Sequence, residues 1–500
     1  MNNNRKMMTP CVRLQDLRDN MSKSDISLEE ALEDGRQMMI NFIDNRFDEA
    51  VEMLFEKGDQ NFIYAAGMGV IKSIEGMLSM NPDHVQEAMN YMKFASEFAS
   101  TVRKKHSYSS YLFRYHFDYN SYTDEEAHAE LIFAGTQIAL GLLSIIGDQS
   151  IYGLINAAFT IRSSHSTYKE CLNILHHKTN WSSERVREHF ESGTRLGIGA
   201  FDLFVSMFPN KLAKLLEYVG FHSDREIALD ELNKSVDLPD GYMYDLSSIL
   251  LSTYYGFVEY FYGCGEAEVA FFEKQSKVWA RRTPNSSIAM IGVAIHQQIT
   301  GNPDLAIELY RKCVFDSSEV FKQLELAAYW GICGCYAMLR DWKNAAKYIK
   351  ILKDDCKWSP ALFAYLYSVF QFMVMEESGK SELSDEISKT LKRIPQLKRT
   401  VGGRKVFHEK IVIERSKKWH NNVNAMLLPP LELLYIWNMF QMMYGNKDLI
   451  GPFLQLVDKK FFNFKHDKGL YGSGVSSLIR LTIFLISQKR LIVAWIRMHI

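Results

Sequence analysis

The chain has 500 residues, more than one compact core accommodates, so it is either a set of domains or a repeat array that adds its core locally. Lys plus Arg (58) and Asp plus Glu (59) balance to a net charge of −1, which excludes a global field pulling the whole protein onto nucleic acid or an anionic membrane. With 47% hydrophobic residues, 23% charged residues and only 11 prolines, the composition is that of a globular protein with few breaks in its helices.

The first twenty residues, MNNNRKMMTPCVRLQDLRDN, hold no apolar run of signal-peptide type, so residues 1–26 read as a flexible tail rather than a secretory leader. The seven scattered cysteines, Cys11, Cys171, Cys264, Cys313, Cys333, Cys335 and Cys356, then read as free thiols of a reducing compartment. Two amphipathic helix pairs follow, over residues 31–57 and 62–98, the second turning through Met80-Asn81-Pro82-Asp83. Ala50 and Ala88 stand where two helices of such a pair cross closely.

Thr123 with Glu126 three residues on is a capping box that opens the next helix, and Asp124 and Glu125 add favourable charge at its positive end. Residues 131–147, LIFAGTQIALGLLSIIG, carry no charge. A helix buried between neighbours is apolar all round, and that reading is taken over a membrane span. Residues 197–221 are interrupted by Asp202, Lys211 and Lys214. Beyond Pro209, the spacing of Leu212, Leu215, Leu216 and Val219 predicts an amphipathic helix.

Two further pairs lie at residues 289–314, with a Gly301-Asn302-Pro303-Asp304 turn, and at 327–352. Ala306 and Ala345 take the small-residue position, 39 residues apart against about 34 in a regular tetratricopeptide array. Residues 389–420 then hold eleven Lys or Arg and only Glu409 and Glu414 as acids. Two readings stay open: a solvated connection, or a docking patch for an acidic peptide or an anionic head group, with Arg404, Lys405, Lys410, Arg415 and Lys418 as its candidate residues. Sparse aromatic interleaving and the balanced overall charge argue against nucleic acid. The apolar tail is divided by Arg480, Lys489, Arg490 and Arg497, so no span is expected there. The fold class is all-α: tetratricopeptide-like helix-turn-helix repeats stacked into a superhelix over residues 27–380, a basic connecting segment over 381–422 and a helical region over 423–500.

Nothing in the sequence carries recognisable chemistry. Glu125-x-x-His128 lacks the second copy and the further glutamates of a di-iron bundle. Cys333-Gly334-Cys335 is too closely spaced for a redox or zinc motif and sits at a packing position. Gly197-Ile198-Gly199 lacks the third glycine and the preceding strand of a dinucleotide site. No catalytic, metal or cofactor residue is expected, and the chain reads as no enzyme.

The stretches TIRSSHSTYKEC (residues 160–171), GTRLGIGAFDLFVSMFPNKLAKLLEYVGFHSDRE (193–226) and IPQLKRTVGGRKVFHEKIVIERSKKW (394–419) resemble the tetratricopeptide repeat protein 39 family, with the fungal inclusion-body clearance proteins as distant relatives. EEAHAEL and LLPPLELLYIWNMF resemble it too. The resemblance runs from about residue 28 to 469 and implies an all-helical repeat scaffold with no catalytic residues. Past that point the family continues with another helical block, which the tail of this chain does not resemble. The expected function is a cytoplasmic adaptor that binds partner proteins or peptides in the groove of the superhelix. The alternative is a factor peripheral to a membrane or organelle, in lipid homeostasis or inclusion-body clearance.

Overall fold

The computed structural model describes residues 25–104, 117–148, 150–207, 224–260, 268–313, 319–398, 400–401, 404–405, 407–423, 426 and 428–466. The Leu212–Val219 spacing and the tail beyond residue 466 lie outside these residues. Twenty α-helices account for nearly all of them, packed neighbour to neighbour, and the all-α repeat superhelix is thereby shown. They group into two compact units, divided near Leu251.

The first unit contains α1 (Leu28–Ile43), α2 (Phe47–Lys57), α3 (Phe62–Ser79), α4 (Pro82–Val102), α5 (Asp124–Gly147), α6 (Ile151–His177), α7 (Glu184–Ser206) and α8 (Arg225–Val236). Side chains satisfy the free N–H groups at the starts of most of these helices. Ser27, Asn61, Asn81, Thr123, Ser183 and Asp224 all cap in this way, and the Thr123–Glu126 box is closed in both directions. Each helix packs on the next, and the odd-numbered helices also pack on one another: α1 on α3, α3 on α5, α5 on α7, and α7 back on α1. The inner row of this unit is therefore occupied by its own helices.

The second unit contains α10 (Val269–Arg282), except for Arg282, which groups with the first. It continues with α11 (Ser287–Ile299), α12 (Pro303–Lys312), α13 (Glu319–Leu339), α14 (Trp342–Asp355), α15 (Pro360–Ser378), α16 (Leu383–Arg393), α17 (Phe407–Trp419), α18 (Pro429–Ile436), α19 (Met439–Met442) and α20 (Lys447–His466). The short helix α9 (Tyr244–Thr253) precedes it, spanning the division. Thr400–Val401 and Arg404–Lys405 are two-residue strands. Here α18 lies on α13 and α15, and α19 on α11. Met439 presses on Gly334 and Trp437 meets Trp330 edge-on at 5.4 Å. Among the described residues, one face of α11, α13 and α15 is covered by the chain's own residues 428–440.

Repeat turns share one geometry. Asn45, Gly301 and Arg340 are left-handed (φ 66°, 81° and 61°), and the next N–H in each case reaches back five residues, Arg46 to Asn41, Asn302 to Gln297 and Asp341 to Tyr336. Ala50, Ala306 and Ala345 each follow five residues after that turn and are fully buried. In the second pair the left-handed residue is Met80, so Val85 holds the equivalent place and Ala88 lies one turn on. Both face Gly76 at the α3–α4 crossing. Gly197 and Gly199 serve close crossings also: a Cβ at Gly197 would strike the Tyr168 ring of α6, and one at Gly199 the Ala228 carbonyl of α8. Cys333 and Cys335 are buried free thiols whose pKa values burial raises, which makes them packing groups.

The apolar helix α5 is the one described helix long and apolar enough to cross a membrane, with a mean hydropathy of 1.8. In this fold α3, α4, α6 and α7 pack around it. His128 turns inward between Trp181 and Phe190, its Nδ1 2.8 Å from the Asp124 carbonyl and its Nε2 without a partner. His189 on α7 is fully buried with neither ring nitrogen partnered. Burial pushes both imidazoles down to about 4.

Two predictions follow from this packing. Ala345→Trp should overpack the α13–α14 crossing, where the Cys333 sulfur already lies 3.6 Å from the Ala345 carbonyl, and cost about 1–3 kcal/mol in a thermal or denaturant melt. The second concerns pH. The folded form keeps His128 and His189 neutral, whereas an unfolded imidazole takes up its proton near 6.5, so their stability contribution is lost as pH falls from about 6.5 toward 4. Asp202, whose carboxyl burial lifts to about 6, acts with the opposite sign, so the comparison must be between variants. His128→Phe should flatten the fall in melting temperature across that window. An undiminished slope would show that His128 does not set it.

Candidate interaction surface

The basic stretch is built on two packed helices. In α16, Ile387 and Leu391 point into the core while Lys389, Lys392 and Arg393 are exposed. A 3-10 turn, Ile394–Gln396, buries Ile394 and leads to exposed Lys398. In α17, Val412, Ile413 and Ser416 are buried and Lys410, Lys417 and Lys418 are exposed. The Ser388 hydroxyl donates to the His420 carbonyl at 2.6 Å, which ties α16 to the end of α17. Glu409 is buried and accepts from the Ser359 hydroxyl at 2.7 Å, so one of the two local acids is withdrawn from the surface.

The five candidates are placed differently. Arg404 and Lys405 form the second short strand. Lys410 is exposed on the first turns of α17. Lys418 is exposed near its end, with its ammonium 4.5 Å from the Trp419 ring. Arg415 is half-buried and turned to Glu432 on α18, its Nε donating to both carboxylate oxygens at 3.0 Å and its Nη2 to one of them. It fixes α17 to the segment that fills the inner face. The sequence shows the charge of Arg415 but not this partner on another helix. Among the described residues Lys389, Lys392, Arg393, Lys398, Lys410 and Lys417 take part in no ion pair. Glu382, Asp385 and Glu414 are the exposed acids of the same helices, and Glu386 accepts from Tyr367. Several of the cations stand in the last turns of α16 and α17, where they also complement the negative helix ends.

The family profile described as Iml2/Tetratricopeptide repeat protein 39 matches residues 36–473, most of the chain. The chain belongs to that family. Tetratricopeptide repeat protein ttc-39B of Caenorhabditis elegans is 25% identical over 426 residues, which cover 85% of this chain and 73% of the relative. No solved structure matches. Membership in the Iml2/Tetratricopeptide repeat protein 39 family makes this a helical repeat protein of a kind suited to protein interaction. Of the stretches that resemble the family, residues 160–171 and 193–207 meet where Gly197 approaches Tyr168, and residues 428–440 lie against α11, α13 and α15.

Because the Arg415–Glu432 pair is about 40% exposed, it is worth little more than a surface pair. Arg415→Glu should cost about 1 kcal/mol in a melt, by setting two carboxylates against each other. The swap Arg415→Glu with Glu432→Arg should recover most of it. Failure of the swap to recover stability would mean that the loss comes from packing of the side chain's stem.

Proposed function

We propose that the protein is a non-enzymatic adaptor and that the α16–α17 face receives an acidic segment of a protein partner. The observation that carries this reading is the set of exposed cations on two adjoining helices with no acid paired to them among the described residues. The filled inner faces support it as well, since they direct docking to outer surfaces. Buried free cysteines favour a reducing setting, the cytoplasm. Opposed charges at such a face chiefly speed encounter, and the effect fades with salt because screening acts over about 8 Å at physiological ionic strength.

Proximity labelling in the native cell followed by pull-down with the purified chain would test this. Lys392, Lys398, Lys410 and Lys417 changed together to Glu should lower recovery of acidic partners, most strongly at low salt, with little change in melting temperature. Arg415 is kept, because its partner is internal. Unchanged recovery would reject the docking role. Flotation with phosphatidylserine liposomes that is lost in the same variant, without any change in protein recovery, would make the face a contact for anionic lipid, as in a factor peripheral to an organelle.

A further inference from the structure

Three tyrosines crowd one arginine where α12, α13 and α14 meet. Tyr329 and Tyr336 stand two turns apart on α13, and Tyr348 comes from α14. The Tyr336 and Tyr348 rings stack with centroids 5.8 Å apart and 23° between their planes, and Tyr329 tilts against Tyr348 at 5.5 Å. Arg311, in the last turn of α12, donates to the Tyr336 hydroxyl at 2.5 Å. The Tyr348 hydroxyl beside it raises the guanidinium pKa further. Tyr329 donates to Glu325 at 2.5 Å. The three rings are half-buried and Arg311 is exposed. The other side of α13, with Trp330, Cys333, Gly334 and Ala337, is the side covered by α18 and α19.

A row of lysines borders the rings. Lys343, Lys347 and Lys350 follow one another at i, i+4 and i+7 on α14, all exposed, and the Lys347 ammonium lies 5.6 Å from the Tyr348 ring centroid. Lys312 is exposed at the end of α12. Among the described residues none of these four lysines takes part in an ion pair. The nearby acids are few. Glu308 is exposed one turn back on α12, Glu325 is engaged by Tyr329, and Asp341 accepts from the Asn344 backbone and side chain in capping α14.

Tyrosine and arginine supply a large share of the energy at protein interfaces, because each offers wide contact area and directed hydrogen bonds. Tyrosine does so with few rotatable bonds, and an arginine already held by hydroxyls loses little further freedom when a partner arrives. Lysines alone would serve solubility. Solubility gives no reason for a stacked Tyr336–Tyr348 pair, with Tyr329 tilted against it and a guanidinium held at the Tyr336 and Tyr348 hydroxyls.

We infer that this edge is a second docking site, separate from the α16–α17 face, for a protein segment in which carboxylates alternate with apolar side chains. A carboxylate pairs with Arg311 and Lys347, and the neighbouring apolar side chain lies on the Tyr336 and Tyr348 rings.

The test uses the full chain and a phage-displayed library of random dodecapeptides. Selected peptides should be rich in Asp or Glu interspersed with Leu, Phe or Pro. Arg311→Glu and Lys347→Glu should each weaken their binding about tenfold or more. Lys347 makes no ion pair, so its variant keeps the test valid if Arg311→Glu proves unstable in a melt. The charge reversal of the α16–α17 face should leave these peptides bound, which separates this site from the proposed function. Peptides without acidic enrichment, or peptides whose affinity ignores both variants, would overturn the assignment. So would binding of phosphatidylserine vesicles that both variants abolish while no peptide is recovered.

Discussion

A pair of amphipathic helices leaves one apolar face uncovered, and the whole structure follows from what covers it. In the first unit each odd-numbered helix covers the next, and α7 returns to cover α1. The consequence is clearest in α5. Leu131 presses on Gly193 of α7, Gly141 meets Ile161 of α6, and Gln137 donates to Ser96 of α4 at 2.8 Å. Contact with four neighbouring helices buries Leu131, Ile132, Ala134, Thr136, Gly141 and Leu143 and leaves the residues between them half-buried, an arrangement that favours a stretch without charge. Its polar groups are used in the same way. Glu130 pairs with Arg103, and the Ser164 hydroxyl donates to the Ala134 carbonyl.

The second unit meets the same requirement by other means. Here α11 packs on α13, and a later segment is laid across α11, α13 and α15. Pro429, Pro430, Leu431, Leu433 and Leu434 are all buried, as are Met439, Phe440 and Met442. The segment is anchored by polar contacts at its turns: Asn438, itself left-handed, donates to the Tyr260 carbonyl at 3.0 Å, and Asn446 donates to the Gly301 carbonyl at 3.3 Å. Arg415 reaches it from α17 through Glu432. A repeat protein built this way covers these helix faces with its own later segment.

Local features were legible in the sequence, because their causes are local. The Thr123–Glu126 box and the small residues Ala306 and Ala345 depend on residues a few positions apart. Legibility failed where distant segments meet. By sequence Ala88 reads as the crossing residue in the place that Val85 holds, since the left-handed turn at Met80 does not announce itself in a methionine. Gly197 and Gly199 gave no hint of Tyr168 or Ala228. One face of α11, α13 and α15 is covered by a later segment, which reads simply as another apolar helix until its neighbours are known. Arg415 looked like its fellow cations, and its carboxylate stands on another helix.

The same limit explains why charge alone described the interaction surface poorly. A run of lysines and arginines tells how much charge is available, not which of it is already neutralised. Folding sorts the stretch from residue 389 to 420 by geometry: Arg415 goes to Glu432, Glu409 goes inward to Ser359, and the cations of α16 and α17 that find no carboxylate remain at the surface. The lysines on α14 are spread through a helix of mixed charge and form no run, yet they border three tyrosines packed ring against ring. A surface for recognition is defined by charge that the fold leaves unpaired next to side chains that the fold holds still, and both properties come from tertiary contacts.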